Sequence, residues 1–142
     1  MEAWAEGALE RLRAGSGRTG GARRLVVDFM SRQDCCLSVQ EIHDRVRAES
    51  ARVGIASVYR AVEGLVDAGL VQRIDLGDGI ARFERADPRG EHHHHLVCDR
   101  CGRVEPFEDE ELETALERLA AAQGFAVAAH DVVLRGTCAD CR

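Results

Sequence analysis

"IASVYRAVEGLVDAGLVQRIDLGDGIARFER" spans residues 55–85. In its first half Val58, Val62, Leu65 and Val66 recur at helical spacing, and Gly69 stands where a helix would stop. In its second half Leu70, Gln72, Ile74 and Leu76 alternate, "GDG" supplies a hairpin turn, and Ile80 to Glu84 return. A helix running straight into a hairpin is the closing half of a winged helix-turn-helix, and it puts the recognition helix before the wing. The upstream residues supply the other helices. Residues 3–14 set Trp4, Ala8, Leu9 and Leu12 on one face. Past the breaker "GSGRTGG" (15–21), "ARRLVVDFMSRQ" carries Leu25, Val26, Phe29 and Met30, and "DCC" (34–36) reads as a loop. Ser38, with Glu41 three residues on, is a capping-box signature for a helix whose inner stripe is Val39, Ile42 and Val46. Pattern alone also fits a small α+β domain that binds no nucleic acid.

Composition narrows the function classes. The chain has 142 residues, a net charge of −6 and six cysteines. It has no apolar run approaching the roughly 18 residues of a membrane span. Its first residues, "MEAWAEGALERLRAG", lack the apolar core of a secretory signal, so a cytoplasmic setting is expected, where thiols stay reduced. Cysteines in that setting point to metal or redox chemistry rather than a disulfide framework. Residues 1–88 hold 13 Arg against 14 acids, while residues 89–142 hold 6 Arg against 11 acids. A phosphate-binding face therefore belongs to the first half.

"ADPRGE" (86–91) reads as a polar connector. The expected organisation is a DNA-binding domain over 1–86, a connector at 87–91 and a metal-binding domain over 92–142. In the latter, "HHHHLVC" and "RVEPFE" are strand-like. "EDEELETALERLAAAQG" is helical with Leu112, Leu116 and Leu119 inward and Gly124 as its stop, and "FAVAAHDVVLRG" is a last strand. The fold class is α+β: an N-terminal winged helix-turn-helix followed by a small α/β domain with a four-cysteine site.

Six potential metal ligands, four histidines and two cysteines, fall within His92–Cys101. Cys98, Cys101, Cys138 and Cys141 form two Cys-x-x-C pairs separated by 36 residues. Two such turns facing each other present four thiolates, which suits tetrahedral zinc. Redox dithiols or disulfides are the alternatives. If residues 92–97 are a strand, His92 and His94 point one way and His93 and His95 the other, so one strand can feed two sites. Glu84, Glu105, Glu108, Glu113, His130 and Cys36 are available as further ligands. A solvated polyhistidine loop is the alternative there.

With these motifs in hand, the chain resembles the ferric uptake regulator family of metal-dependent repressors over essentially its whole length. "ASVYR" (56–60) is similar to the family's recognition-helix T-V-Y-R. "HHHHLVCDRCG" (92–102) resembles its H-x-H-x-x-C-x-x-C-G core, and "GTCADC" (136–141) its terminal G-x-C-x-x-C. The resemblance implies a DNA-binding repressor, not an enzyme. It implies a homodimer formed through the second domain, on a double-stranded operator whose adjacent half-sites are met when metal is bound. It also implies a structural zinc at Cys98, Cys101, Cys138 and Cys141, and a dimerisation-domain metal site at His92, His94, Glu113 and His130. The interdomain sensing site would be Glu84, His93 and His95, with Cys36 where relatives often have histidine. At the DNA, Ser57, Tyr59 and Arg60 would lead, with Arg18, Arg23 and Arg24 contacting the backbone.

Three departures bear on the regulatory metal. Zinc-sensing relatives often carry a cysteine near the end of the wing, where this chain reads "FERADP". Iron- and peroxide-type relatives place a carboxylate five residues after the second cysteine, where this chain has Pro106. A thiolate from Cys36 would make the sensing site softer and more zinc-like, although an ordinary partly buried loop cysteine fits that position too; Cys35 has no assigned role. The expectation is a zinc-sensing repressor of metal-uptake genes, with iron-, manganese- or peroxide-responsive repression as the alternative. A metallohydrolase or a dithiol oxidoreductase is more distant, because a catalytic zinc needs an open coordination position and a nearby base.

Overall fold

Ser38 opens a helix as its residue type predicts. Its hydroxyl accepts from the Glu41 backbone N–H at 3.2 Å, and the Glu41 carboxylate accepts from the Ser38 N–H at 2.8 Å, closing a capping box. In the computed structural model, which describes residues 2–16, 20–50, 52–87 and 92–142, the chain divides into two compact units, Met1–Gly90 and Glu91–Arg142.

The first unit contains α1 (Glu2–Ser16), α2 (Gly21–Ser31), β1 (Leu37–Ser38), α3 (Val39–Glu49), α4 (Ile55–Asp67), β2 (Val71–Asp75) and β3 (Ala81–Arg85). The inward stripes of the helices meet in one core that includes Ala8, Leu12, Val26, Phe29, Met30, Ile42, Val46, Val58, Val62 and Leu65. α4 ends in a Schellman turn: Gly69 sits at φ 68°, its N–H reaches Val66 O, and the Leu70 N–H reaches Leu65 O. That turn sends the chain directly into β2. The sheet order is β1-β3-β2, all antiparallel, with Val71 opposite Arg85 and Asp75 opposite Ala81. Helices plus this hairpin form the winged helix-turn-helix.

Two features of this unit differ from the pattern reading. "DCC" leads into a short strand, because Leu37 and Ser38 pair with Phe83 and Arg82 of the wing. The buried face of β3 carries Arg82 and Glu84 rather than apolar side chains. Their charges are met locally: Asp78 accepts from Arg82 at 2.9 Å, and Glu84 accepts from the Gln72 amide at 2.9 Å.

The second unit contains β4 (His94–Cys98), β5 (Val104–Phe107), α5 (Glu110–Ala122), β6 (Val133–Gly136) and a 3-10 turn at Ala139–Cys141. β4 is central in the order β5-β4-β6, antiparallel to β5 and parallel to β6, so α5 lies in the crossover. Asp109 caps α5, its carboxylate accepting from the Leu112 N–H at 2.8 Å. The strand begins at His94, not His92, because β5 ends opposite it at Phe107. The last strand is equally short. Residues 125–132 run irregularly before β6 pairs with β4 at Val133. Periodicity also puts Leu119 inward, yet it is 59% exposed, and no residue of α5 is buried. Among the described residues of this unit only His94, His95, Val97 and Cys98 are buried.

Ser38→Ala removes the cap of α3 and should cost about 1 kcal/mol of unfolding free energy. Chemical denaturation of the first unit's helical signal measures it, and an unchanged midpoint would contradict the role of the capping box.

Candidate metal centres and nucleic-acid interface

The Cys-x-x-C of β4 is a tight knuckle. The Gly102 N–H returns to Cys98 O and the Cys98 N–H to Arg103 O, each at 2.9 Å. Gly102 takes φ 74°, which a side chain would strain. The second pair is set by the 3-10 turn, where the Cys141 N–H reaches Cys138 O at 3.0 Å. Parallel pairing of β6 with β4 brings the two turns together. All six cysteines are thiols. A tetrahedral zinc with bonds of about 2.3 Å spaces its sulfurs about 3.8 Å apart. Cys101 and Cys138 Sγ lie 3.8 Å apart, and all four ligand sulfurs lie within 4.8 Å of one another. The residues therefore fit the ion.

Backbone N–H groups already favour a thiolate there. The Cys138 N–H points at Cys98 Sγ at 3.3 Å. Together with the N–H of Cys101, it draws the Cys98 thiol down to about 6. Cys141, hydrogen-bonded to Cys138 and then Cys101, is pushed up to about 12 and must give up its proton on binding metal.

A second cluster lies around β4's other ligands. His92, His94, Glu113 and His130 bring one ligand atom each to within 4.8 Å of the rest. Glu113 of α5 is the hub. Its Oε1 lies 2.5 Å from His94 Nε2, and its Oε2 lies 2.8 Å from His130 Nε2 and 3.5 Å from His92 Nε2. His92 and His130 Nε2 are 3.1 Å apart, close to the roughly 3.3 Å edge of a tetrahedron built on bonds of about 2.0 Å. The His94 hydrogen bond, followed by the charges of His130 and His92, holds the Glu113 carboxyl below its ordinary range. The Val132 N–H donates to His94 Nδ1 at 3.2 Å. With Nδ1 accepting, the neutral ring carries its proton on Nε2, toward Glu113. A cation bound through Nε2 has to displace that proton and release Val132.

His93 and His95 stack edge-to-face with each other, centroids 4.8 Å apart. His92 and His94 instead pair with each other and with His130. In the first unit, Glu84 is buried on β3. Cys36 is 3% exposed. Its hydrogen bond with Cys35, burial and the charge of Glu84 push its thiol far above the usual range, while Arg82 opposes this weakly. The more accessible thiol of the pair belongs to Cys35, which is half-buried. The loop carrying it is tied to the wing: Arg85 donates to Gln33 O at 3.1 Å and lies 5.8 Å from the Trp4 ring.

On α4, Tyr59 is 51% exposed rather than packed inward. Arg60 is exposed and donates to Ser57 Oγ at 3.3 Å, so the two share one flank of the helix. Arg23 approaches the same helix at Gly64, where its Nη2 lies 3.7 Å from the position of an added Cβ. Arg24 is exposed on α2, and Arg18 lies outside the described residues.

Residues 15–135 match the Ferric uptake regulator family. The chain belongs to that family. It is 34% identical over 121 residues to the ferric uptake regulation protein of Bordetella parapertussis, covering 84% of this chain and 86% of that one. It is 31% identical over 125 residues to the zinc uptake regulation protein of Mycobacterium tuberculosis, covering 88% and 95%. Among solved structures it superposes on the Helicobacter pylori ferric uptake regulator with a TM-score of 0.80 at 28% identity, covering 96% and 93%. That structure is described as having three functional metal binding sites.

Ferric uptake regulators are metal-responsive transcription regulators that bind DNA and form dimers, and this chain is a metal-responsive regulator of that kind. No described helix is long and apolar enough to cross a membrane. Sequence reasoning passed over the Val132 link to His94, which had no pattern to announce it because Val132 acts through its backbone.

Cys138→Ser should remove about one zinc per chain and free the chain end, seen as faster amide exchange over β6. Unchanged zinc content in that variant would contradict the four-thiolate site.

Proposed function

We propose that this chain is a zinc-responsive repressor of metal-uptake genes, acting in the cytoplasm as a homodimer on a double-stranded operator. Residues 1–86 would read DNA, 92–142 would bind metal and dimerise, and 87–91 would connect them. The observation that supports zinc best is the soft donor offered to the responsive site, the half-buried Cys35 thiol, since a thiolate ligand leans a site toward zinc over iron or manganese. The second unit leaves Leu96, Leu119, Phe125, Val127 and Leu134 exposed while burying little of its own apolar surface, which supports a partner copy.

In this reading Cys98, Cys101, Cys138 and Cys141 hold structural zinc, and His92, His94, Glu113 and His130 hold a second ion that braces the dimerisation domain. The responsive site draws on Glu84 of the wing and on His93 and His95, with Cys35 taking the place of Cys36. A bound cation supplies charge and fixed coordination there. Cys35 can serve because its thiol is accessible and its loop is held to β3 by Arg85. Cys36 is instead a core thiol. On the DNA, Ser57, Tyr59 and Arg60 lead, with Arg23 and Arg24 toward phosphate.

Iron response is the second reading, favoured by the higher identity to the Bordetella protein. Operator titrations with Zn(II), Fe(II) and Mn(II) separate the two. Zinc should drive binding in the parent. Cys35→Ser should raise the zinc requirement about tenfold and narrow the preference for zinc over iron, while Cys36→Ser should leave the titration in place. Parent-like behaviour of Cys35→Ser with every metal, or binding driven by iron alone, would overturn the zinc assignment. At saturating zinc, Arg60→Ala should cost roughly 1–3 kcal/mol of operator affinity if it reads a base edge. An unchanged affinity would remove Arg60 from the interface.

A further inference from the structure

The residues between and beside the four cysteines are charged, and they pair across the two turns. Asp99, inside the first Cys-x-x-C, accepts from Arg135 of β6 at 2.5 Å. Arg103, just after that knuckle, donates to Asp140, inside the second Cys-x-x-C, at 2.8 Å. Glu105 braces the same guanidinium, accepting from Arg103 Nε at 2.6 Å. Arg100, the other intervening residue of the first pair, donates to the Cys141 carbonyl at 3.0 Å. The backbone adds one more link, Asp99 N–H to Gly136 O at 2.8 Å. Acid and base are exchanged between the two ionic links: the first turn offers Asp99 and Arg103, and the second offers Arg135 and Asp140. Only one docking of the turns satisfies both, and a slipped docking would set like charges against each other.

We propose that Arg100, Arg103 and Arg135, with Asp99 and Asp140, are an ionic clasp that positions the terminal cysteine pair on the knuckle whether or not metal is present, and thereby slows metal release from the four thiols. A structural zinc site often collapses when the ion leaves, because folding and binding are one event. Here the sulfurs converge while cross-links independent of the ion hold the two turns together. A metal that loses one thiolate is recaptured before the chain end can swing away. The links are on the surface, and exposed pairs are individually weak and screened by salt. The clasp therefore acts through the two ion pairs and the Arg100 hydrogen bond together, and its effect is salt-dependent. It rests on the four-thiolate reading and involves none of the ligands themselves.

The test uses full-length protein in a Cys35→Ser, Cys36→Ser background loaded with Co(II), whose thiolate charge-transfer absorption reports the four-cysteine site alone. The decay of that band is followed in excess chelator. Release from the otherwise unaltered protein should accelerate with added salt. Arg103→Ala combined with Arg135→Ala should release about tenfold faster at low salt, as expected for the loss of two exposed pairs, and should lose most of the salt dependence. Asp99→Arg alone should also accelerate release, and adding Arg135→Asp should bring the rate back to within about twofold, as only a direct charge pairing allows. Rates that ignore these substitutions and salt, or a reversed pair that fails to restore the rate, would overturn the clasp. If a variant does not fold, the salt dependence of the unaltered clasp and the milder Asp99→Asn decide. Absence of the charge-transfer band before any clasp substitution would instead sink the four-thiolate reading.

Discussion

Convergence of four thiols from two turns, Cys98–Cys101 and Cys138–Cys141, is the constraint on which the second unit depends. That unit has few other means of support. Its buried residues among those described are two histidines, one valine and one cysteine. Small units with so little apolar core need metals, cross-links or a partner to hold together. The parallel pairing of β4 with β6 returns the chain end to the knuckle, and the crossover carries α5 and with it Glu113. The helix is held to the sheet by polar convergence on that carboxylate, while its leucines stay partly or largely exposed. An unusual share of this unit's packing is therefore contributed by side chains that can hold a metal ion.

The first unit is built the opposite way. Its helices and wing close over one apolar core, so it can keep its shape independently of metal. In the proposed reading its response enters through particular residues. Glu84 on β3 and the Cys35–Cys36 loop are joined to each other by the β1–β3 pairing. They are joined to α1 by the contact of Arg85 with Trp4, and α1 in turn reaches the end of the recognition helix, where Arg11 donates to Ala68 O at 2.8 Å. These contacts form a continuous physical path within the unit from the thiol loop to α4. Such a path becomes allosteric only if its elements have two arrangements that metal and DNA both bias.

Much of this was legible in the sequence because local rules and tertiary context agree. Ser38 and Glu41 form the capping box, Gly69 and Gly124 take the left-handed turns that end α4 and α5, and the two Cys-x-x-C pairs meet. The histidines sort onto two sides as strand alternation requires, although His92 and His93 precede the hydrogen-bonded ladder. The misses have physical reasons. β1 is two residues long and exists only because the wing offers an edge. Arg82 and Glu84 are buried where alternation asks for apolar residues, since Asp78 and Gln72 satisfy them. Leu119 fits a helical stripe, but nothing in its own unit covers it. That Cys36 is more deeply buried than the adjacent Cys35 also has no pattern in the sequence to announce it.

Zinc K-edge X-ray absorption on protein loaded stepwise with zinc tests the central claim most directly. The account predicts that the first equivalent enters a shell of four sulfurs at about 2.3 Å, and that the second adds nitrogen and oxygen scatterers at about 2.0–2.1 Å without loss of sulfur. A first equivalent bound mainly by nitrogen and oxygen, or a sulfur shell of fewer than four, would contradict it.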